Sequence, residues 1–192
     1  MDIKVKYFKD NPDFDMCESL KLFEVVTGGK PRLETEARIC YTDKGIYIKF
    51  HGEDDYLVST MKNFNDPIYD EDVFEAFFDD DCDRRTYKEL EVSPLGTVLH
   101  YEIHKSETSN QAFARIENNI GVSVLCGNDF WEATIFVPNT EFLNPPVKGS
   151  RFLGNLYRID RGREGNDEHS ALSPTGEINY HRPDKFVSFN FE

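Results

Sequence analysis

The stretch Asn65–Pro94 reads NDPIYDEDVFEAFFDDDCDRRTYKELEVSP, and the expected fold follows from it. Its run Val73–Phe78 is too rich in aromatic and apolar residues for a solvated loop. The return segment Tyr87–Ser93 alternates polar and apolar side chains with the period of a half-buried strand. We therefore predict two adjacent antiparallel strands joined by an acidic loop. Tyr69 and its neighbouring carboxylates lie at the mouth of the first strand and form a candidate binding patch.

The composition favours one acidic domain. The chain has 192 residues, enough for a sizeable core, and we predict a single domain over residues 1–192. It carries 22 Lys and Arg against 36 Asp and Glu, a formal net charge of −14. This charge argues against nucleic acid or an anionic membrane as partner, because both attract clustered cations. Neutral sugars and divalent cations remain compatible with it.

The beginning of the chain bears on its compartment. The first residues, MDIKVKYFKD, lack the apolar core of a signal peptide. We therefore expect a cytoplasmic protein, or a secreted one if a leader was removed.

Short alternating segments separated by turn residues recur along the chain. This pattern is typical of an all-β sandwich or barrel with antiparallel strands, and we predict about ten strands and little helix. Segments 112–117 and 121–126 flank Asn118-Asn119, which indicates a hairpin between them. Residues 161–170 are predicted to form a polar loop.

Carboxylates are dense on both sides of the first strand of the opening stretch. Ca²⁺ takes six to eight oxygen ligands in flexible geometry, so these loops are compatible with a structural calcium ion. The spacing is not that of an EF-hand, and a solvated acidic loop is the alternative. The candidate ligands are Asp66, Asp70, Asp72 and Asp79.

His100, Glu102 and His104 occupy alternate positions of a predicted strand and therefore share one face. Imidazole and carboxylate groups bind zinc when a further ligand completes the site. The sequence offers no evident fourth ligand, so a polar strand face is the alternative.

The chain has four cysteines and no CxxC pair. Two disulfides are possible by number, but the absence of a visible leader favours free thiols. The cysteines are Cys17, Cys40, Cys82 and Cys126.

The order of five motifs resembles that of the family 9 carbohydrate-binding modules. The motifs are NDPIYDEDVFEAFF (65–78), YKELEVSPLG (87–96), FWEATIFVP (130–138), GNLYRID (154–160) and ALSPTGEINYHRPDKF (171–186). The resemblance is strongest over residues 33–191. It implies a jelly-roll β-sandwich, non-catalytic binding to the ends of xylan- or cellulose-related glycans, and structural calcium. It also implies that Trp131 belongs to the core.

The resemblance further implies a sugar clamp. Binding members hold the sugar between two tryptophans, and the corresponding positions here are Tyr69 and Leu172. The carboxylate that follows the first aromatic residue corresponds to Glu75. Leucine provides apolar contact but no π face, so we expect weak binding, at best near the millimolar range.

Other implied site residues surround this clamp. A polar ligand residue falls near His169, and the strand after Gly96 offers His100 and Glu102 where binding members have a basic group. A buried Glu75 needs a partner, so we expect a ligand hydroxyl or an arginine such as Arg158 to satisfy it.

The functional prediction is a free-standing, monomeric, saccharide-binding module with no organic cofactor. A sandwich that has lost sugar binding and acts as a scaffold or protein-interaction domain is the alternative. A hydrolase is a third possibility, since a glycosidase needs two carboxylates about 5 to 9 Å apart, here Glu75 and Glu102. Related haem-carrying sandwiches add a fourth, with Met61 and a histidine as iron ligands.

Overall fold

The computed structural model describes residues 1–106 and 108–192, and this part of the chain forms fourteen strands. Its helical segments are 3₁₀ turns of three residues each, and none of its helices is long and apolar enough to cross a membrane. The strands are β1 (Asp2–Tyr7), β2 (Leu20–Lys21), β3 (Phe23–Glu24), β4 (Thr35–Thr42), β5 (Gly45–Glu53), β6 (Val73–Asp79), β7 (Thr86–Val92), β8 (Val98–Lys105), β9 (Asn110–Ala114), β10 (Gly121–Cys126), β11 (Phe130–Pro138), β12 (Arg151–Asp160), β13 (Glu168–Ala171) and β14 (Val187–Phe191).

The strands form two layers. The front sheet has the order β14-β12-β6-β7-β8-β9, with β13 beside β14 on the same edge of β12 and β3 beyond β13. The back sheet has the order β10-β11-β5-β4, with β2 on β4. Strand β1 joins them, because its first four residues pair with β14 and its last two residues pair with β4, both in parallel. All other pairings are antiparallel within the described residues, which confirms the predicted all-β sandwich.

The main core lies between the two sheets. At its centre, the ring of Phe74 from β6 stacks on Trp131 at 3.8 Å and on Phe50 at 4.8 Å between ring centroids. All three side chains are fully buried. The predicted core position of Trp131 is thus confirmed, and the stack joins the front sheet to β5 and β11 of the back sheet.

Strand β6 is buried on both faces. Its even-numbered side chains, such as Phe74 and Phe78, enter the main core. Its odd-numbered side chains belong to the opposite face of the front sheet, where Phe77 packs with Tyr87 and Phe186. This second, outer face is partly covered by the segment 178–186, and the candidate site lies on it.

The structure differs from the sequence prediction in strand number and in one hairpin. The additional strands are short, and β13 begins inside the predicted polar loop 161–170. The predicted hairpin across Asn118-Asn119 is wrong, because β9 pairs with β8 in the front sheet and β10 pairs with β11 in the back sheet. Val122 and Val124 pack against the main core, and this requires the chain to cross between layers.

The predicted acidic-loop pair of strands is confirmed: β6 and β7 are antiparallel, with Phe74 opposite Val92. The cysteine prediction also agrees with the structure, in which all four thiols are free.

We predict that Phe74→Ala lowers the free energy of unfolding by about 3 to 5 kcal/mol, because it removes the centre of the aromatic stack and leaves a cavity. Phe113→Ala on the exposed strand β9 is the matched control and should change it by less than about 0.5 kcal/mol. Urea denaturation of both variants measures the difference. Equal effects would contradict the central position of Phe74.

Candidate functional site

An open cavity of about 480 Å³ lies on the outer face of the front sheet. Its floor is made by β6, β7 and β8, and its walls come from the 3₁₀ turn Ile68–Asp70, from β13 and from the segment that follows β13. The lining residues are Tyr69, Glu75, Glu89, Glu91, Tyr101, Ala112, Ile159, His169, Ile178, Asn179, Tyr180 and His181.

Three glutamates meet on the cavity floor. Glu75 of β6 lies directly opposite Glu91 of β7, and Glu89 is two residues further along the same face of β7. One carboxylate oxygen from each lies within 4.8 Å of the others. The three side chains, which we call the glutamate triad, are only 2%, 8% and 1% exposed for Glu75, Glu89 and Glu91.

The glutamate triad has no partner of opposite charge in direct contact among the described residues. The closest approach is that of His181 Nε2, 4.0 Å from a carboxylate oxygen of Glu89. Glu91 Oε2 is fully buried and accepts no hydrogen bond. A buried carboxylate without a donor is costly, so this arrangement favours a proton or a ligand on the triad.

The electrostatics of the triad follow from this burial. Burial raises the pKa of Glu75 and Glu91 well above the usual range, and the charge of the neighbouring triad members raises both further. Burial alone raises the pKa of Glu89 to about 7. The triad therefore takes up protons near neutral pH when nothing else neutralises it.

Tyr69 forms the exposed rim of the cavity. The turn Ile68–Asp70 follows Pro67, and the buried side chain of Ile68 anchors it. The guanidinium of Arg161 donates to the Tyr69 carbonyl oxygen at 2.6 Å and also pairs with Asp167 at 2.7 Å. The turn is thus fixed, while the Tyr69 ring remains 41% exposed and available to a ligand.

The opposite wall is built around Tyr180. Its ring stacks on Tyr157 at 4.2 Å with an interplanar angle of 3°. Its hydroxyl donates to the Arg158 carbonyl oxygen at 3.0 Å, so His169 Nδ1, at 2.8 Å, donates to the same hydroxyl oxygen. This assigns the Nδ1–H tautomer to His169 and leaves its Nε2 as an acceptor.

Both histidines of the cavity are uncharged at neutral pH. Burial lowers the pKa of His169, and the charge of Arg161 lowers it further. Burial and the charge of Lys105 lower the pKa of His181, whose Nδ1 lies 2.9 Å from the Tyr87 hydroxyl. The cavity lining therefore presents carboxylates without a compensating positive charge.

The structure brings three of the predicted site residues together. Tyr69, Glu75 and His169 all line this one cavity, although they come from a turn, from β6 and from β13. These three residues therefore remain candidates for contact with one ligand.

Four predicted site residues lie elsewhere, and strand alternation explains each case. Leu172 is buried in the main core, because it points to the opposite face from His169 and Ala171. The expectation that it forms one wall of a sugar clamp is contradicted. His100 and Glu102 likewise point away from Tyr101, which does line the cavity.

Arg158 does not satisfy Glu75. It is paired with Phe74 across the sheet and lies on the core side, where its guanidinium contacts Asp54 at 3.2 Å and Asp160 at 2.8 Å. The terminal nitrogens of the guanidinium are held on the core side by Thr35, Asp54 and Asp160, so Arg158 is not the partner that was expected for Glu75.

The predicted zinc group is not assembled. His100 is buried beside Glu141, and burial lowers its pKa to about 4. His104 is largely exposed and contacts Glu102 at 2.7 Å. Glu102 and Glu75 lie on opposite faces of the front sheet, and only Glu75 lines the cavity. These two carboxylates therefore do not form the pair that a glycosidase needs.

Met61 lies in an apolar environment. It is half-buried and packs against a small cluster that includes Ile68, Val73 and Leu99.

The four calcium candidates do not form one site. Asp66 accepts hydrogen bonds from the backbone of Lys62 and Asn63, and Asp70 is exposed at the cavity rim. Asp72 is fully buried, and burial raises its pKa to about 7. These three are therefore separate from Asp79.

Asp79 does belong to a group of carboxylates. Oxygens of Asp79, Asp81 and Asp83 lie within 4.8 Å of one another in the loop after β6. Asp79 Oδ2 accepts from the Arg84 backbone N–H at 2.9 Å, whereas the buried Oδ1 has no partner. This orphaned oxygen beside two exposed carboxylates fits a hard cation.

Several lining residues were missed by the sequence reasoning. The shared face of Tyr87, Glu89 and Glu91 was visible in the alternation, but the register that sets Glu91 against Glu75 was not. Tyr180 and Ile178 lie in a segment without strand periodicity, so no sequence signal placed them beside β6.

The sequence matches a known family over most of its length. Residues 29–191 match the profile of Carbohydrate-binding family 9. The chain therefore belongs to Carbohydrate-binding family 9, a family of non-catalytic binding modules, which confirms the prediction of a binding module rather than an enzyme. A protein from Arthroderma benhamiae described as an extracellular protein is 27% identical over 155 residues, which cover 73% of this chain and 70% of that protein.

Solved structures show the same fold. A candidate carbohydrate-binding protein from Bacteroides uniformis has a TM-score of 0.78 at 18% identity, over 100% of this chain and 99% of that chain. A family 9 module from Caldicellulosiruptor kristjanssonii has TM-scores of 0.69 in its complex with glucose and 0.68 in its complex with cellotriose, both at 13% identity. These matches cover 100% of this chain and 96% and 94% of the two solved chains.

We predict that Glu89→Gln raises the free energy of unfolding of the unliganded protein relative to the parent, and that it does so by more at pH 8 than at pH 4.5. The folded-state pKa of about 7 lies above the ordinary glutamate pKa of 4.5, so the contribution of Glu89 to stability is fully present below pH 4.5 and is lost as the pH rises through 7. Glutamine has no such dependence, and the relative gain reaches up to about 3 kcal/mol.

Denaturant unfolding at both pH values measures this gain. Glu117→Gln at an exposed position is the control and should change stability by less than about 0.5 kcal/mol at either pH. A Glu89→Gln variant that is less stable than the parent at pH 8 would show that Glu89 has a stabilising partner in the folded state.

Proposed function

We propose that the cavity above the glutamate triad binds a saccharide. The observation that carries this proposal is the placement of an exposed tyrosine ring, Tyr69, over buried and unpartnered carboxylates in a family of carbohydrate-binding modules. Sugars offer apolar C–H faces for aromatic rings and hydroxyl donors for carboxylates. The volume of about 480 Å³ lies in the range of small-molecule sites.

Each wall has a distinct part in this proposal. Tyr69 stacks on one face of a sugar ring, and the aliphatic Ile178 contacts the ring from the other wall. Hydroxyl groups donate to the carboxylates of the triad, and His169 accepts through Nε2. The unpartnered oxygen of Glu91 thereby gains the hydrogen bond that the protein alone does not give it.

The proposed ligand is the end of a glycan chain, bound weakly. A family 9 module from another organism was solved with glucose and with cellotriose, which supports a xylan- or cellulose-related oligosaccharide as a first ligand to test. Among the lining residues only Tyr69 presents a strongly exposed aromatic ring. A one-sided stack supports affinity near the millimolar range, where the binding free energy is about −4 kcal/mol.

A calcium ion is the proposed structural ligand of the loop after β6. Asp79, Asp81 and Asp83 supply the carboxylate oxygens, and the orphaned Asp79 Oδ1 supports this choice over Asp66, Asp70 and Asp72. The ion neutralises carboxylates that otherwise repel one another.

We expect Tyr69→Ala to weaken cellotriose binding about tenfold or more, because the aromatic contact is worth about 0.5 to 1.5 kcal/mol beyond its buried area. Ile178→Trp should tighten it about threefold to tenfold by supplying a second ring. Leu143→Trp, at an exposed position outside the cavity, is the control and should leave the affinity unchanged. Titration followed by NMR measures all three.

Two results would contradict the saccharide proposal. Affinity that is the same in Tyr69→Ala and in the parent would place the sugar elsewhere on the molecule. Failure of the parent and of Ile178→Trp to bind any member of a glycan array would instead favour the scaffold or protein-interaction alternative.

Millimolar Ca²⁺ should raise the melting temperature by about 5 to 10 °C over chelator, which corresponds to about 2.7 kcal/mol at a hundredfold excess over the dissociation constant. Asp79→Asn should abolish this rise, whereas Asp70→Asn, the matched control outside the group, should preserve it. An unchanged melting curve of the parent in calcium would exclude the site.

A further inference from the structure

We infer that the saccharide bound in the cavity carries a protonated amine, so that the ligand class is an amino sugar whose ammonium group is held by the glutamate triad. This inference rests on the proposed saccharide function and names the feature of the sugar that the site selects. It is carried by three observations: the charge of the lining, the spacing of the triad oxygens and the size of the cavity.

The carboxylates of the cavity lining are not balanced by basic side chains. Glu75, Glu89 and Glu91 line the cavity, and the described lining includes no Lys or Arg. The nearby Arg161 is already bound to Asp167 and to the Tyr69 carbonyl oxygen. A neutral sugar leaves this set of carboxylates without a counter-charge, whereas a cationic ligand supplies one.

Lys105 is likewise engaged elsewhere. Its ammonium donates to the His181 carbonyl oxygen at 2.9 Å and to Asn110 at 3.2 Å. Arg161 and Lys105 therefore hold the walls of the cavity in place, and neither forms an ion pair with the glutamates of its floor.

The spacing of the triad fits an ammonium group. An alkylammonium has three N–H donors, and charge-assisted N–H···O bonds are about 2.7 to 2.9 Å long. Three oxygens at that distance from one nitrogen lie at most about 5 Å apart, in agreement with the mutual distances of up to 4.8 Å found here. Each glutamate accepts one donor, and Glu91 Oε2, which is fully buried without a partner, is available as one of the three acceptors.

The size and walls of the cavity favour an amine on a ring over a bare metal ion. A volume of about 480 Å³ is far larger than an ion needs, and Tyr69, Tyr101 and Ile178 provide aromatic and apolar surface beside the triad. Ca²⁺ needs six to eight oxygen ligands, and these walls offer few beyond the triad itself. An amino sugar uses both the carboxylates and the rings.

The test compares three trisaccharides that share β-1,4 linkages and differ at C2: the glucosamine trimer, its fully N-acetylated form and cellotriose. Calorimetric titration of the intact protein is carried out at about pH 7. We expect the glucosamine trimer to bind at least tenfold more tightly than the other two. Glu91→Gln should reduce this preference to threefold or less, and the exposed control Glu117→Gln should retain it.

Equal or tighter binding of the acetylated trimer or of cellotriose would overturn the inference and leave the proposed saccharide function intact. Binding of none of the three would overturn both. A titration with Ca²⁺ alone, in the Asp79→Asn variant, covers the metal alternative. Calcium binding there that is lost in Asp79→Asn combined with Glu91→Gln would assign the triad to a metal ion and overturn the inference.

Discussion

The strict alternation of side chains along β6 is the constraint on which the rest of the structure depends. Even-numbered residues of this strand place Phe74 at the centre of the core, between Phe50 and Trp131. Odd-numbered residues place Glu75 on the floor of the cavity. Since a shift of one residue exchanges the two faces, the packing of the core fixes the position of the Glu75 carboxylate. Core and site are therefore specified by the same register.

The glutamate triad lowers the stability of the unliganded protein. Three buried carboxylates repel one another and lack hydrogen-bond donors. The unliganded protein therefore either loses folding free energy by keeping them charged or takes up protons that neutralise them. A hydrophobic floor of similar volume would be easier to fold. Retention of unsatisfied charge at the bottom of an open cavity is typical of a functional site, where a ligand completes the hydrogen bonds.

Much of the fold was predictable from the sequence, because the periodicity of a strand is local. The return segment Tyr87–Ser93 alternates clearly, and it appears in the structure as β7 (Thr86–Val92). Glu75 could be assigned to the candidate site because it lies inside such a segment, and Tyr69 because it lies at the mouth of that strand, whereas His169 was assigned from the family resemblance. Leu172 directly follows the last residue of β13, where its backbone N–H donates to the Leu156 carbonyl oxygen and its side chain enters the core, opposite to Ala171. The meeting of Glu75 with Glu91 depended on a register that the acidic loop sets, and local patterning does not reveal it.

Strand β1 has a consequence for how the protein is made. Its residues Asp2–Val5 pair with Ser188–Phe191 of β14, so two segments at opposite ends of the sequence lie side by side. The ribosome delivers the second segment only after the other thirteen strands have been synthesised. Until then the pairing of β1 with β14, which connects the two layers at this edge, is absent, and β1 remains without this partner strand. Folding of this sandwich is consequently expected to be slow and to finish only once β14 has been synthesised, with chaperone protection most valuable for β1.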